Sequence, residues 1–197
     1  MAVQGIYAGE RILMLNVYAP HQPALREAFY RRLGEIDVPS NSLVLMGGDF
    51  NCTLDALRDR SYSQRAKDHD SPSLRALLAN WCMEDASLRF HSSETTPAVL
   101  QNLYHDTHTY HYKIPGVGDA TSRLDRWYAT ARMTQWIKAS EMIHRGTRAD
   151  HRGVKLELQS PTDPIRIWKP MKVHPVPHYA ADAIFIKELE DHQSLLS

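Results

Sequence analysis

The hydrophobic positions of the chain fall first into short apolar runs that predict buried strands. Residues 11–18 are nearly all apolar, and residues 3–7 can pair with them through the turn at 8–10. Residues 42–46 form another short apolar run, which leads into two glycines and Asp49. A nearly continuous apolar run is typical of a strand that is covered on both faces.

Two segments instead repeat their apolar residues at helical spacing. Leu25, Phe29 and Leu33 lie four residues apart, while Arg26 points elsewhere, which predicts an amphipathic helix. A second helix is predicted to begin in the Ser-Pro-Ser segment at 71–73, because proline is tolerated in a first helical turn. The apolar stripe of this second helix consists of Leu74, Leu77, Leu78 and Trp81.

The second half of the chain is predicted to add further strands. Apolar and polar residues alternate in 107–112 and in 153–158, and 124–129 is another strand-like run. Polar residues 54–70 and the Pro-Gly segment at 115–118 are predicted to be loops. The succession of strand, helix and strand indicates a layered α/β arrangement.

The character of the chain changes near residue 161. Residues 161–197 are rich in proline and end in a short helix-like segment at 179–196. This composition predicts a linker and a short C-terminal helix that follow a domain spanning residues 1–160.

Composition and charge exclude several classes of protein. Hydrophobic residues make up 43% and charged residues 23% of the chain, which is the balance of a folded globular domain. Lys and Arg number 23, as do Asp and Glu, so the net charge of +0 counts mildly against a tight, nonspecific DNA binder. A mixed-sign segment is predicted to be a solvated loop. It contains Arg58, Asp59, Arg60, Arg65, Lys67, Asp68 and Asp70.

Two further observations concern the compartment. The two cysteines, Cys52 and Cys82, are too few for a disulfide framework, so a reducing, intracellular compartment is expected. The sequence predicts neither a signal peptide nor a membrane span, and no membrane partner is expected.

Three segments place chemically active side chains beside predicted strands. They are Asp49-Phe50-Asn51, Arg123-Leu124-Asp125 and Asp150-His151. Strand ends in layered α/β folds commonly carry sites, and Asp, Asn and His can activate water and neutralise phosphate charge beside Mg²⁺. Each segment alone is better interpreted as a turn, a surface ion pair or a loop pair. Their joint occurrence in this order favours a site that hydrolyses phosphate esters.

The same segments resemble the successive motifs of a known superfamily. The likeness lies in Asn16-Val17-Tyr18-Ala19-Pro20, Gly47-Gly48-Asp49-Phe50-Asn51, Thr109-Tyr110, Ser122-Arg123-Leu124-Asp125 and Asp150-His151. In this order they resemble the endonuclease/exonuclease/phosphatase superfamily. Within it the chain looks most like the endonuclease domains of LINE-type (non-LTR) retrotransposons.

The resemblance implies catalytic roles for five residues. Asp49 resembles the carboxylate that orients or deprotonates the attacking water, and Asn51 resembles the amide that positions this water and the phosphate. Tyr18 resembles the tyrosine that contacts the phosphate or the leaving group. Asp125 looks like the acid that hydrogen-bonds the catalytic imidazole, which would be His151.

The resemblance also implies a metal site and substrate contacts. Asp150 and Asp49 are similar to carboxylates that hold Mg²⁺ or Mn²⁺ in the family. His21 and Arg123 are expected to bind substrate, and His21 can donate to a phosphate oxygen.

The implied fold is DNase I-like, a four-layer α/β/β/α sandwich of two mostly antiparallel sheets. The family's first strands carry an Asn and a Glu that is a principal Mg²⁺ ligand. No residue of this chain matches that Glu, so part of the N-terminal sheet is expected to be missing. The implied substrate is DNA, the implied partner is a downstream reverse transcriptase in a longer polyprotein, and the implied location is nuclear if the substrate is chromosomal DNA.

Three alternatives to an active endonuclease stay open. The missing Glu allows a catalytically impaired fragment of such a domain. The absence of a basic excess allows a phosphatase of the same superfamily that acts on small molecules. A binding module without activity requires the acidic and histidine motifs to be vestigial.

Overall fold

A computed structural model describes residues 1–39, 42–62, 69–88, 105–144 and 149–162 of the chain. These residues belong to the first of two units, Met1–Pro164. The predicted helix at 179–196 and most of the predicted linker lie outside the described residues. The strands and helices are, in chain order, β1 (Ala2–Tyr7), β2 (Glu10–Tyr18), α1 (Pro23–Leu33), β3 (Leu43–Asp49), α2 (Pro72–Asn80), β4 (Met83–Asp85), β5 (Tyr110–Ile114), β6 (Gly118–Ser122), β7 (Asp125–Thr130), α3 (Ala131–Thr134), β8 (Ile137–Ile143) and β9 (Gly153–Leu158).

Five strands form the main sheet in the order β1-β2-β3-β7-β4. β1 and β2 form an antiparallel hairpin through Ala8 and Gly9, whose φ angles are 51° and 77°. β3 lies parallel to β2 and antiparallel to β7, and β4 pairs antiparallel with β7. Because β2 and β3 run in the same direction, their connection crosses over the sheet, and α1 lies in this crossover.

β3 is buried on both faces of the main sheet, as its apolar run predicts. Successive side chains of a strand point to opposite faces. Val44 and Met46 pack with residues of α1 and α2, whereas Leu43 and Leu45 pack with residues of α3, β8 and β9. The described residues therefore stack a helix layer, the main sheet and a second strand layer in the predicted order.

α1 buries only part of the face that its spacing predicts, because Phe29 and Leu33 pack against the core but Leu25 does not. Leu25 is 55% exposed, whereas Arg26 is 2% exposed and Tyr30 is fully buried. The guanidinium of Arg26 donates to the carbonyl oxygens of Asn51 at 2.7 Å and Asp70 at 3.2 Å. Main-chain oxygens thus compensate the burial of a charged side chain. The prediction that Arg26 points away from the core is wrong.

α2 follows the prediction closely. Ser71 caps the helix, because its hydroxyl accepts a hydrogen bond from the Leu74 amide at 3.2 Å. Leu74, Leu77 and Leu78 are buried against the main sheet, and Trp81 follows at the C-terminal end. The predicted apolar stripe of this helix is confirmed.

Two antiparallel hairpins complete the described structure. β5 pairs with β6, and β8 pairs with β9. The sequence predicts neither β6 nor β8, since β6 contains glycine and small polar residues and β8 mixes polar with apolar positions. Among the described residues no helix is long and apolar enough to cross a membrane.

Candidate active site

Three strand ends bring the predicted catalytic residues to one edge of the main sheet. Tyr18 lies beside Asp49 in the parallel β2–β3 pair. Asp49 lies directly opposite Asp125 in the antiparallel β3–β7 pair. Side chains of directly opposed residues lie on the same face. The two carboxylates are therefore neighbours in space although they are distant in sequence.

The two glycines before Asp49 are required by close contacts of the backbone. A Cβ atom on Gly47 would lie 2.1 Å from the Trp127 ring. A Cβ atom on Gly48 would lie 1.9 Å from the carbonyl oxygen of Val17, and φ of Gly48 is +135°. Any side chain here would push β3 away from β2 and β7, so these glycines fix the position of Asp49.

Asn51 holds the Asp49 carboxylate in a tight turn. The backbone of Asn51 has φ 48°, in the left-handed region that asparagine tolerates. Its amide N–H donates to Asp49 Oδ1 at 2.8 Å, and its side-chain Nδ2 donates to Asp49 Oδ2 at 3.1 Å. Nδ2 also donates to the carbonyl of Ala19 at 2.8 Å. Both oxygens of Asp49 are thus oriented before any ligand binds.

His151 forms the second part of the cluster. Its Nδ1 lies 2.8 Å from Asp125 Oδ2. Donation from Nδ1–H to this carboxylate fixes the tautomer and leaves Nε2 as the free ring nitrogen. The Tyr110 ring packs against the imidazole with centroids 4.7 Å apart. Thr109 fixes the start of β7, because its hydroxyl oxygen accepts hydrogen bonds from the amides of Leu124 and Asp125, each at 3.0 Å.

Asp49, Asp125 and His151 form a group that could hold a metal ion. One potential ligand atom from each residue lies within 4.8 Å of the others. Burial foremost, and the negative charge of Asp125, raise the pKa of Asp49, although the amide of Asn51 and the charge of His151 act in the opposite direction. Two half-buried carboxylates this close together favour binding of a cation between them.

The cluster lies in a cleft of about 500 Å³. Other predicted site residues line the same cleft, namely Tyr18, His21, Asn51 and Asp150. Tyr18 is 81% exposed. Asp150 is exposed and its carbonyl accepts a hydrogen bond from His111 at 3.3 Å. Its carboxylate is outside the group of ligand atoms within 4.8 Å among the described residues.

Several residues that line the cleft were given no role in the site by the predictions from sequence. They are Arg26, His69, Tyr110, Tyr112, Ser122 and Leu124. The alternation of the predicted strand at 107–112 already puts Tyr110 and Tyr112 on one face, so this pair could have been found. No signal in the sequence marks Arg26 or His69, because only tertiary packing brings them to the cleft.

Arg123 is not in the cleft, which corrects the prediction that it contacts substrate. Its side chain is 2% exposed, and it donates to Asp59 at 3.0 Å and to Asp85 at 2.5 Å. Arg126, also buried, lies 3.7 Å from Asp59. We call Asp59, Arg123, Arg126 and Asp85 the buried ionic network. It joins the loop after β3 to β4 and β7, so Arg123 supports the start of β7 rather than a ligand.

The prediction of a solvated mixed-sign loop is wrong for Asp59 and Arg60. Asp59 is 0% exposed and Arg60 is 6% exposed. Burial alone would raise the pKa of Asp59, but the guanidinium groups of Arg126 and Arg123 outweigh it and hold that pKa well below its usual value. Residues 65, 67 and 68 of this loop lie outside the described part of the chain.

Solved nuclease structures have a fold similar to that of this chain. The catalytic domain of APE2 from Xenopus laevis matches with a TM-score of 0.53 at 18% identity. The match covers 81% of this chain and 52% of the APE2 chain. An AP endonuclease from Archaeoglobus fulgidus matches with a TM-score of 0.52 at 17% identity. The match covers 81% of this chain and 65% of that endonuclease. The predicted fold class is confirmed by these similarities.

Two proteins of transposable elements are similar to this chain, one in fold and one in sequence. The endonuclease domain of TRAS1, a telomere-specific non-LTR retrotransposon, matches with a TM-score of 0.52 at 15% identity. The match covers 85% of this chain and 64% of the TRAS1 chain. A transposon TX1 uncharacterized 149 kDa protein from Xenopus laevis is 28% identical over 153 residues, which are 77% of this chain and 11% of that protein. The resemblance predicted from the motifs is confirmed at the level of the fold. No protein-family model matches the chain.

The chain spans only part of these relatives. It covers 11% of the TX1 protein and between 52% and 65% of the three solved structures.

Proposed function

We propose that this chain acts as a metal-dependent phosphodiester hydrolase on DNA, as an endonuclease of the retrotransposon type. The proposal is based on two hydrogen-bonded pairs of residues that lie in the same cleft. Asp49 with Asn51 forms one couple, and Asp125 with His151 forms the other. A base held opposite an oriented imidazole is the arrangement that attack of water on a phosphate requires.

Asp49 serves as the base in this proposal. Its raised pKa makes the carboxylate a stronger acceptor for a proton of the attacking water. Asn51 restrains both carboxylate oxygens, so that water and base meet in a fixed geometry. The water oxygen forms the new bond to phosphorus, its proton moves to Asp49, and the bond from phosphorus to the leaving oxygen breaks.

His151 and Tyr18 act on the phosphate and the leaving oxygen. With Nδ1 bonded to Asp125, Nε2 of His151 is free to hydrogen-bond a phosphoryl oxygen. The exposed hydroxyl of Tyr18 can donate to the phosphate or the leaving oxygen from the neighbouring strand end. His21 lines the same cleft and provides a further donor for a phosphate oxygen.

The chemistry of the donor set fits Mg²⁺ or Mn²⁺. Carboxylate oxygens are the ligands that these hard cations prefer, and the cleft offers them from Asp49 and Asp150, with Asp125 adjoining. When bound, the cation would neutralise negative charge on the phosphate. The raised pKa of Asp49 supports the fit, because a cation would relieve the repulsion between Asp49 and Asp125.

DNA as substrate and the retrotransposon context rest on the relatives. The TRAS1 domain is named as an endonuclease of a non-LTR retrotransposon, and the 149 kDa protein as part of a transposon. By analogy we propose that this domain works beside a reverse transcriptase in a longer polyprotein and acts in the nucleus.

A phosphatase for small molecules is the second candidate. Two observations favour it: the cleft of about 500 Å³ matches the usual volume of small-ligand sites, and the net charge of +0 offers no general attraction to DNA.

Nicking of supercoiled plasmid tests the proposal. The purified chain should convert supercoiled DNA to open circles in 5–10 mM MgCl₂, a range chosen to exceed roughly millimolar affinity, and EDTA should stop the reaction. Asp49→Asn should lower the rate by roughly a thousandfold, because the base is lost. Asp37→Asn, which changes an exposed carboxylate outside the cleft, is the matched control.

Three results would count against the proposal in different ways. Equal nicking by the parent chain and Asp49→Asn would refute the assigned mechanism. Hydrolysis of p-nitrophenyl phosphate without nicking would favour the small-molecule phosphatase. A folded chain inactive on both substrates would identify a catalytically impaired domain.

A further inference from the structure

Arg60 differs from the other buried arginines in its hydrogen bonds. It is 6% exposed, and within the part of the chain that the structure describes its Nε and Nη1 atoms are buried without a hydrogen-bond partner. By contrast Arg123 and Arg126 bond to carboxylates or carbonyl oxygens. A buried guanidinium without partners destabilises a fold, so its retention needs a compensating use.

Arg60 belongs to a row of residues that leads to the catalytic cluster. Its backbone pairs antiparallel with Ser122, which pairs with Tyr110, and Tyr110 pairs with His151. Directly opposed residues of antiparallel strands project to the same face. Contact between the rings of Tyr110 and His151 confirms this for one end of the row. Arg60 therefore shares a face with three residues that line the cleft.

Arg60 lies too far from His151 for both residues to contact the phosphate that is hydrolysed. Three steps between paired strands span roughly 15 Å between the Cα atoms of His151 and Arg60. One strand of a DNA duplex carries a charge about every 3.4 Å along its axis. A polynucleotide can therefore reach both residues with different phosphates, whereas a small phosphate monoester bound at His151 cannot.

We infer that Arg60 binds a phosphate of a nucleic-acid strand that flanks the hydrolysed phosphodiester. This inference rests on the proposed phosphodiesterase function and narrows its substrate to a polynucleotide. The unpaired N–H groups of Arg60 would donate to the phosphate oxygens, and the aromatic wall of Tyr110 and Tyr112, whose ring centroids are 5.3 Å apart, lies between the two phosphates.

Binding without cleavage gives the first test. A fluorescein-labelled 12-base-pair DNA duplex is titrated in EDTA at several NaCl concentrations. Arg60→Gln should weaken binding by about tenfold and reduce the slope of log K against log salt by about 1. Arg11→Gln, which removes an exposed arginine at the far end of β2 from Tyr18, should leave both quantities unchanged. Parental affinity and salt slope in Arg60→Gln would overturn the inference.

Thermal unfolding separates a binding role from a structural one. Loss of an unpaired buried charge should keep or raise the melting temperature of Arg60→Gln. A fall in the melting temperature by several degrees, with DNA affinity unchanged, would make Arg60 a structural residue and would overturn the inference.

A small diester substrate separates this inference from the proposed function. Hydrolysis of thymidine 5′-(p-nitrophenyl phosphate), which has no flanking phosphate, should be unaffected by Arg60→Gln, whereas plasmid nicking should slow. Equal slowing on both substrates would overturn the inference but leave the hydrolase intact. Duplex binding that depends on Arg60 in a chain that nicks nothing would refute the proposed function alone.

Discussion

The catalytic cluster and the buried ionic network use the same kinds of side chain under opposite electrostatic conditions. In the network, two arginines surround the fully buried Asp59 and hold its pKa well below the usual value. In the cluster, burial and a second carboxylate raise the pKa of Asp49. A carboxylate with excess positive charge nearby is fixed in its ionised form and serves the fold. A carboxylate short of positive charge is a stronger base and has room for a cation.

Removal of the central carboxylate of the network should have the largest effect. Asp59→Asn leaves the buried Arg126 without its carboxylate and Arg123 with Asp85 alone, and should reduce the free energy of unfolding by about 3–5 kcal/mol. Urea denaturation at pH 7 measures this loss. Asp55→Asn, which changes an exposed carboxylate of the same loop, is the control. A loss below about 1 kcal/mol, the worth of a surface pair, would show that the network contributes little.

Acid should destabilise the fold through His108, which lies beside the buried ionic network. Burial above all lowers the pKa of His108 to about 4, and its two ring nitrogens contact Thr121 and the Arg58 carbonyl. Since the unfolded chain binds this proton at a higher pH, the stabilisation is complete above pH 6.5 and is lost as the pH falls towards 4. The loss should approach about 3 kcal/mol.

Unfolding in urea between pH 7.5 and pH 4.5 checks the contribution of His108. The pH dependence should flatten in His108→Gln and persist in His105→Gln, which changes an exposed neighbour. Parallel curves for the parent chain and His108→Gln would assign the acid sensitivity to other groups.

Replacement of Asp49 should change the free energy of unfolding least, and in the opposite direction to replacement of Asp59. Asp49 has a raised pKa in the folded chain, so its ionised form destabilises the fold at neutral pH. Asp49→Asn should therefore stabilise the chain by roughly 0.5–1 kcal/mol while it lowers the nicking rate by roughly a thousandfold. Differential scanning calorimetry at pH 7 without added metal measures the change. Destabilisation by Asp49→Asn would mean that Asp49 belongs with Asp59 as a structural carboxylate.

The sequence predicts those parts of the fold that local patterns specify. Nearly continuous apolar runs predicted β2 and β3 as strands, although Met14 of β2 is 41% exposed. The Ser-Pro-Ser start and the apolar stripe predicted α2. The order of the Asp49, Asp125 and His151 motifs was enough to predict a shared site, and the three side chains lie close together.

Other parts depend on tertiary contacts that no local pattern records. β6 and β8 lack a clear alternation and are strands because they pair with β5 and β9. Arg26, Asp59 and Arg123 resemble surface residues in composition, yet each is buried because its partners come from distant segments. The pattern of charge along a chain cannot distinguish a solvated loop from a buried ionic network, since both contain the same residues.

The pairing of Asp49 with Asp125 has a consequence for the order of folding. The hairpins β1–β2, β5–β6 and β8–β9 join segments that are adjacent in the chain, so each closes a short loop. The β3–β7 pair closes a much longer one, and the entropy lost on closure rises with loop length. We expect hairpins to form early and the cluster to form late, when β7 docks onto β3. Nicking activity during refolding would then appear only with the slowest major phase, and would report completion of the whole sheet.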